Sequence, residues 1–365
     1  MDRSKLMVAG ILSFLFLISI KSSFAANDLS FQNYRGINVT FYPQHSLESE
    51  AADLDEIAGW GANFLRLVLR TDPGAPSYCH SYNADGSFNE DTFKKLDAFL
   101  DMAAKRKIHV ILDMHTFPGQ SDNRIWEDYA YWDKFTDLWS FIAARYKDNQ
   151  TVLGFEIINE PDLVDKEGQG SDPKQILKGT WVFPSQWLNT PKDYFSLVER
   201  IGQAINKVAP DKIVVIPAVG EGGQPINFKY MRPVNVQNVM YTFHMYIPHK
   251  FSDMKQVGSA AYNRDKDYPK MLKAMEYPKN FAQAYNAKMY VGEFGLTYYT
   301  EGMGARQWME DVINYFEENG LSWSYWSYSN KERDPRVIVN PDGTFENHED
   351  TERLSVLKEY WKKNQ

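Results

Sequence analysis

From Phe31 onward, short apolar runs rich in β-branched residues alternate with longer amphipathic stretches, the pattern of βα units wound around a parallel sheet. The runs predict strands near Tyr34–Thr40, Asn63–Leu69, Ile108–Met114, Val152–Ile158, Lys212–Ile216, Asn238–Phe243, Lys288–Gly292 and Leu321–Ser327. Helical periods lie near Glu48–Trp60, Asp91–Lys105, Tyr131–Tyr146, Pro191–Val208, Pro269–Asn286, Ala305–Glu318 and Thr351–Lys362. The link between the fifth and sixth strands carries no convincing helix, so one of the eight helices is expected to be weak or short. No linker, repeat or low-complexity tract interrupts the alternation, and the expected fold is α/β, a single (β/α)8 TIM barrel with enlarged loops. A doubly wound open sheet is the alternative. It usually opens on a glycine-rich turn, whereas Gly36-Ile37-Asn38-Val39 runs straight into Thr40-Phe41-Tyr42-Pro43.

The segment before the first strand has a different pattern. Arg3 and Lys5 precede an uncharged apolar run from Leu6 to Ile20, and Ser23-Phe24-Ala25 places small residues where a signal peptidase inspects them. The run is short for a membrane span. Residues 1–25 are therefore expected to be a cleaved signal peptide and residues 26–365 the barrel domain, with an uncleaved anchor as the alternative. The exported protein would be extracellular or periplasmic. It shows no basic helix or second apolar segment for membrane attachment once the signal is removed.

Composition narrows the partners. Forty Lys and Arg stand against 48 Asp and Glu, a poor balance for holding a polyanion, so nucleic acid is not an expected partner. A single cysteine, Cys79, removes any intramolecular disulfide and any multi-cysteine metal site. The 10 Trp, 22 Tyr and 22 Phe, about 15% of residues, supply core packing, but flat rings also suit the apolar faces of sugars.

Barrel chemistry sits at the C-terminal ends of the strands. There the sequence places Arg66, Asp113-Met114-His115, Asn159-Glu160-Pro161, His244-Met245-Tyr246, Glu293 and Trp326. Pro161 cannot donate to a sheet ladder and pushes Glu160 toward an extended backbone at its strand's end. Period-two spacing puts Asp113 with His115, His244 with Tyr246, and Met289 and Val291 with Glu293, each set on one face. A slip of one residue would reverse these pairings. Two carboxylates on different strands can share one glycosidic bond, one protonating the leaving oxygen while the other attacks or stabilises the anomeric carbon. Alternatively, Glu160 and Glu293 are structural acids satisfied by Arg66, and Arg66 could pair with Glu156 inside the barrel.

In order and spacing, Arg66, His115, Asn159-Glu160, His244-x-Tyr246, Glu293 and Trp326 resemble the signature of glycoside hydrolase family 5, the cellulase family of a retaining (β/α)8 clan. Phe155-Glu156-Ile157-Ile158-Asn159-Glu160-Pro161 and Val291-Gly292-Glu293-Phe294-Gly295 are its most specific stretches. The resemblance implies Glu160 as acid/base, Glu293 as nucleophile and Asn159 as the partner of the sugar 2-hydroxyl. It implies Tyr246 and Arg66 beside Glu293, His244 near Glu160, His115 lining the same subsite and Trp326 as the platform under the sugar. Trp326 could instead be core, with Trp323 as the exposed ring. No cofactor and no metal is implied, and the partner is a β-linked oligo- or polysaccharide, with the protein acting as a monomer.

Three readings stay open at this point. The leading one is a retaining β-glycoside hydrolase, cellulase-like, acting on β-1,4-glucan or a related soluble β-glucan. A metal-dependent barrel hydrolase could use Asp113, His115, Glu160, His244 and Glu293, although there is no H-E-x-x-H segment. A non-catalytic carbohydrate-binding barrel would not need both glutamates. The loop from Asp162 to about Thr190 offers Trp181, Phe183 and Trp187 for further subsites or for pinning the loop. The third strand's loop offers Phe117, Trp126 and Tyr129 in the same way.

Overall fold

Eight parallel strands close on one another in chain order: β1 (Arg35–Thr40), β2 (Phe64–Arg70), β3 (His109–Thr116), β4 (Val152–Glu156), β5 (Ile213–Pro217), β6 (Val239–Met245), β7 (Lys288–Phe294) and β8 (Ser322–Tyr325). The ring is completed where Arg35, Gly36 and Ile37 of β1 pair with Trp323, Ser324 and Tyr325 of β8. This computed structural model describes residues 31–71, 81–83, 87–120, 123–163, 184–340 and 342–364. The cleavage site after Ala25, Cys79, Trp181 and Phe183 lie outside the described residues.

Helices return the chain between strands: α1 (Leu47–Trp60), α2 (Glu90–Lys105), α3 (Tyr129–Tyr146), α4 (Tyr194–Val208), α5 (Arg264–Tyr285), α6 (Ala305–Glu318) and α7 (Glu352–Trp361). Their starts follow local chemistry, since Ser46, Asn89, Asp193 and Thr351 each accept a backbone N–H of the first turn. In α4, Tyr194, Leu197, Val198, Ile201 and Ile205 form the buried stripe that meets the barrel wall. As expected from the sequence, the β5–β6 link has only 3-10 turns, Glu221–Gly223 and Pro225–Tyr230. A two-stranded hairpin, β9 (Val337–Val339) with β10 (Phe345–Asn347), follows β8.

Alternation along each strand divides the buried residues into two sets. Outward side chains such as Leu65, Leu112, Phe155, Val214 and Phe294 join the helices in one continuous core. Inside the barrel, Phe64, Ile111, Ile213, Val215, Met240 and Tyr290 form a separate apolar floor, closed from below by Phe31. The floor leaves the upper half of the interior to polar residues.

The seventh strand departs from simple alternation. Val291 packs in the outer core with Met289, yet Glu293 points inward to Arg66. Pairing shows the reason: Phe243 is opposite Val291 while His244 is opposite Glu293, so β7 carries one extra residue, Gly292. A Cβ on Gly292 would lie 2.7 Å from Thr242 Oγ1 and 3.2 Å from His244 Nε2, so the bulge requires glycine. The expectation that Met289, Val291 and Glu293 share a face is therefore corrected. The bulge, not the period of two, turns Glu293 into the barrel.

Candidate active site

The polar layer is organised around Arg66, which is fully buried on β2. Its Nε and Nη2 donate to Glu156 at 2.9 and 2.6 Å, and Nη1 donates to Asn38 Oδ1 at 3.0 Å and Glu293 Oε1 at 2.8 Å. Nη2 also donates to Asn159 Oδ1 at 2.8 Å and lies 3.0 Å from Asp113 Oδ1. Both alternatives for Arg66 thus hold at once: it pairs with Glu156 inside the barrel and with Glu293 at the cleft. Burial works against its charge, but Asp113, Glu156 and Glu293 outweigh that and hold its pKa well above the ordinary value. Asn38 donates to the carbonyls of Gly292, Ser324 and Tyr325 at 3.0 to 3.3 Å, fixing the guanidinium's neighbour to the β7–β8 seam.

Above this layer opens a cleft of about 480 Å³. Glu160, Glu293, His115, Tyr246 and Trp326 line it. One carboxylate oxygen each of Glu160 and Glu293 and one nitrogen of His244 lie within 4.8 Å of one another. Tyr246 donates its hydroxyl to Glu293 Oε2 at 2.8 Å, and His244 Nδ1 is 2.6 Å from Glu160 Oε1. His115 is held through Nδ1 by Asp113 at 2.8 Å, and its ring stacks on Trp326 at 5.0 Å with planes 11° apart. Asn159 Nδ2 is 3.5 Å from His115 Nε2. All eight residues that carried the family resemblance therefore converge on one region. Trp323 is the core ring, with its Nε1 donating to Glu317, while Trp326 faces the cleft.

Glu160 reaches the cleft differently from the expectation. Strand β4 ends at Glu156, and Glu160 has φ of 38°, not an extended backbone. The clash with Pro161 disfavours the right-handed helical region, and the chain escapes it through a positive φ that costs about 1–2 kcal/mol for a residue with a Cβ. Gly220 N donating to Pro161 O at 3.0 Å fixes the turn that holds it. In the loop after β3, Phe117 and Trp126 are buried against Phe135 and each other rather than offered to a ligand. Tyr129 is exposed and donates to Asn189 O at 3.0 Å, while Trp187 is half-buried with Lys192 over its ring.

The two glutamates sit in unlike surroundings. Glu160 keeps about 33% of its side chain exposed, but the carboxyl end is hemmed in by protein. That burial raises its pKa, only partly offset by the Arg66 and Arg333 guanidiniums. Glu293 is buried and accepts from a permanent cation on one oxygen and a phenol on the other. Burial lowers both histidines, His115 to about 3, so the two imidazoles are neutral near pH 7. Glu160, His244 and Glu293 have the spacing of a metal-ligand trio. However, the Arg66 guanidinium already bonded to Glu293 and the mutual contact of His244 and Glu160 oppose a second cation there. No helix among the described residues is long and apolar enough to cross a membrane.

Sequence reasoning passed over a set of residues on the cleft wall: Gln224 in the β5–β6 link, His249 and Asp253 after β6, and Arg333 after β8. They lie on loops, where no period marks which side chain turns inward. Asn38 and Tyr290 were also missed, although period two on β1 and β7 relates them to the barrel interior.

Comparison with known proteins adds an independent line. The family model described as cellulase (glycosyl hydrolase family 5) matches residues 24–332. An endoglucanase of Paenibacillus polymyxa is 25% identical over 329 residues, covering 86% of this chain and 78% of that protein. Among solved structures, the cellulose synthase subunit Z from Clostridioides difficile superposes with a TM-score of 0.64 at 22% identity, covering 88% of this chain and 98% of the other. Thermotoga maritima Cel5A in complex with mannotriose gives 0.64 at 19% identity, covering 90% and 96%. At these identities the structural likeness speaks for the fold.

Proposed function

The chain belongs to glycosyl hydrolase family 5, and from that premise we propose that it cleaves β-1,4-glucan or a related soluble β-glucan by double displacement, with Glu293 as nucleophile and Glu160 as acid/base. The observation that carries this reading is the pair of carboxyl groups with oxygens within 4.8 Å across the cleft, in environments that set them apart. Retaining glycosidases hold their carboxyl groups about 5–5.5 Å apart, whereas inverting ones leave room for a water at about 6.5–9.5 Å.

In the first step, Glu293 forms a bond to the anomeric carbon as the glycosidic C–O bond breaks, and Glu160 gives its proton to the departing oxygen. Glu160 then takes a proton from water, which attacks the same carbon and releases Glu293. His244 suits this exchange. Its Nε2 is buried without a hydrogen-bond partner among the described residues, which favours the tautomer that carries its proton on Nδ1. That proton is donated to Glu160 Oε1, leaving Oε2 to present the catalytic proton to the cleft. Asn159, oriented by Arg66 through Oδ1, turns one amide N–H toward His115 and keeps the other for the sugar 2-hydroxyl. Trp326, backed by His115, provides the platform.

The test is reducing-end release from soluble β-glucans, mannan and xyloglucan; mannan is included because of the mannotriose complex of the Thermotoga structure. Wild type is expected to cleave a β-glucan with retained anomeric configuration, and Glu293→Gln to lose at least about a thousandfold. Equal activity in that variant would displace the nucleophile, and inverted product would remove the mechanism. Residues 1–25 are further proposed as an export signal, supported by their charge and apolar pattern. A mature N-terminus at Ala26 in the exported protein tests this.

A further inference from the structure

Along one wall of the cleft runs a polar chain that none of the roles above uses. Gln224 Oε1 lies 3.2 Å from His249 Nε2, and His249 Nδ1 lies 3.5 Å from Asp253 Oδ2. Asp253 Oδ1 pairs with Arg333 Nη2, and the guanidinium carbon of Arg333 sits 4.7 Å from the centre of the Tyr246 ring. Arg333 Nη1 donates to the carbonyls of Ser252 and Gly295, both at 3.2 Å, clasping the loops after β6 and β7 from the loop after β8. Ser252 in turn donates its hydroxyl to Tyr246 O at 2.5 Å. The side chain is only 12% exposed although it carries a permanent charge, and Asp253, its one carboxylate partner among the described residues, is 41% exposed. Such a charge would be cheaper in solvent unless something at the cleft uses it.

Two consequences follow from where it sits. A cation over the face of a tyrosine withdraws electron density from the ring, which makes the phenol a stronger hydrogen-bond donor. Here that phenol donates to Glu293. The same cation shares the cleft with Glu160.

We propose that Arg333 is a positioning residue for both catalytic carboxyl groups, acting on Glu293 through the face of Tyr246 and on Glu160 across the cleft, with Asp253 as its tuning counter-charge. The proposal rests on the roles given above to Glu160 and Glu293. Glu160 is faced by Arg66 from β2, Asp113 and His115 from β3, His244 from β6, Tyr246 and Asp253 after β6, Glu293 from β7 and Arg333 after β8. Within that ring Arg333 and Asp253 act in opposite directions on the Glu160 proton, the first easing its release and the second retaining it. A purely structural clasp would have no such sign.

The experiment measures kcat and kcat/KM against pH on a soluble β-glucan. The alkaline limb of kcat/KM reports the acid of the free enzyme. Arg333→Met is expected to move that limb up by about half a pH unit or more, and Asp253→Asn to move it down. Arg333→Lys, which keeps the charge, should hold the limb near wild type. Loss of the cation over Tyr246 should lower kcat roughly three- to tenfold with KM nearly unchanged. Limbs that stay at the wild-type position in both Arg333→Met and Asp253→Asn, or move the same way, overturn the proposal. Glu160→Gln separates this from the underlying assignment. If it keeps glucan turnover and the wild-type limb, the role of Glu160 itself fails; if it abolishes both while the other variants leave the limb fixed, only the role of Arg333 fails.

Discussion

Two residues along the same strand separate opposite kinds of interior. On β2 the step is from Phe64 to Arg66, on β3 from Ile111 to Asp113, and on β6 from Met240 to Thr242. The lower set is apolar and stabilises the barrel by leaving water, at about 1.5–3 kcal/mol for each large side chain. The upper set has given up water and receives ion pairs and hydrogen bonds in return, an exchange that at best breaks even. One guanidinium is shared among three carboxylates, so the layer is overcharged with acid. The difference teaches where this fold spends its stability: the floor holds the strands together, and the layer above fixes the Glu293 and Asn159 side chains at the mouth of the cleft.

The largest expected effect comes from breaking the two layers in parallel. Arg66→Met leaves Asp113, Glu156 and Glu293 buried without their cation. It should cost about 3–5 kcal/mol of stability and at least about a hundredfold in activity. Ile111→Ala leaves a cavity in the floor and should cost about 2–5 kcal/mol, with kcat close to wild type. Denaturant unfolding and glucan turnover on both variants test the division. If Ile111→Ala loses activity as steeply as Arg66→Met, the layers are not separable.

The same division explains what the sequence made legible. The floor and the outer core follow from period two and from apolar content, so strand and helix positions were readable to within a few residues. The parity of β3 and β6 also held, because Asp113 with His115 and His244 with Tyr246 each share the inner face. On β7 the period failed at Gly292, since one inserted residue reverses every later side chain. Gly292 itself was the available signal, as a glycine inside a strand often marks a bulge. At Glu160 the proline rule excluded one backbone region correctly but did not select between the remaining two. Arg333, Asp253, His249 and Gln224 had no such handle. Their loops are placed by backbone carbonyls and by one another, contacts that leave no trace in hydrophobic spacing.

A smaller and finer test concerns the acid surplus of the upper layer. Burial pushes Asp113 up to about 7, against the pull of Arg66 and Arg70 and with Glu160 adding to the rise. Its folded pKa thus lies above its unfolded one. The folded state binds the proton more tightly, so the stability tied to this group is fully present below about pH 4 and lost as pH rises through about 7. His115, lowered by burial to about 3, works the other way: its contribution is present above about pH 6.5 and lost as pH falls toward 3. Glu50 on α1, also pushed up to about 7 by burial and by Asp53, has the sign of Asp113 but lies outside the barrel interior. The wild-type curve therefore mixes opposing slopes, and only a difference isolates one group. Asp113→Asn, which keeps the size and an acceptor for His115, is expected to lose less stability between pH 4 and 7 than wild type. Unfolding free energies measured across that window decide it. Parallel curves for the two proteins would mean that Asp113 stays ionised beside Arg66, and that the surplus proton of the layer resides elsewhere.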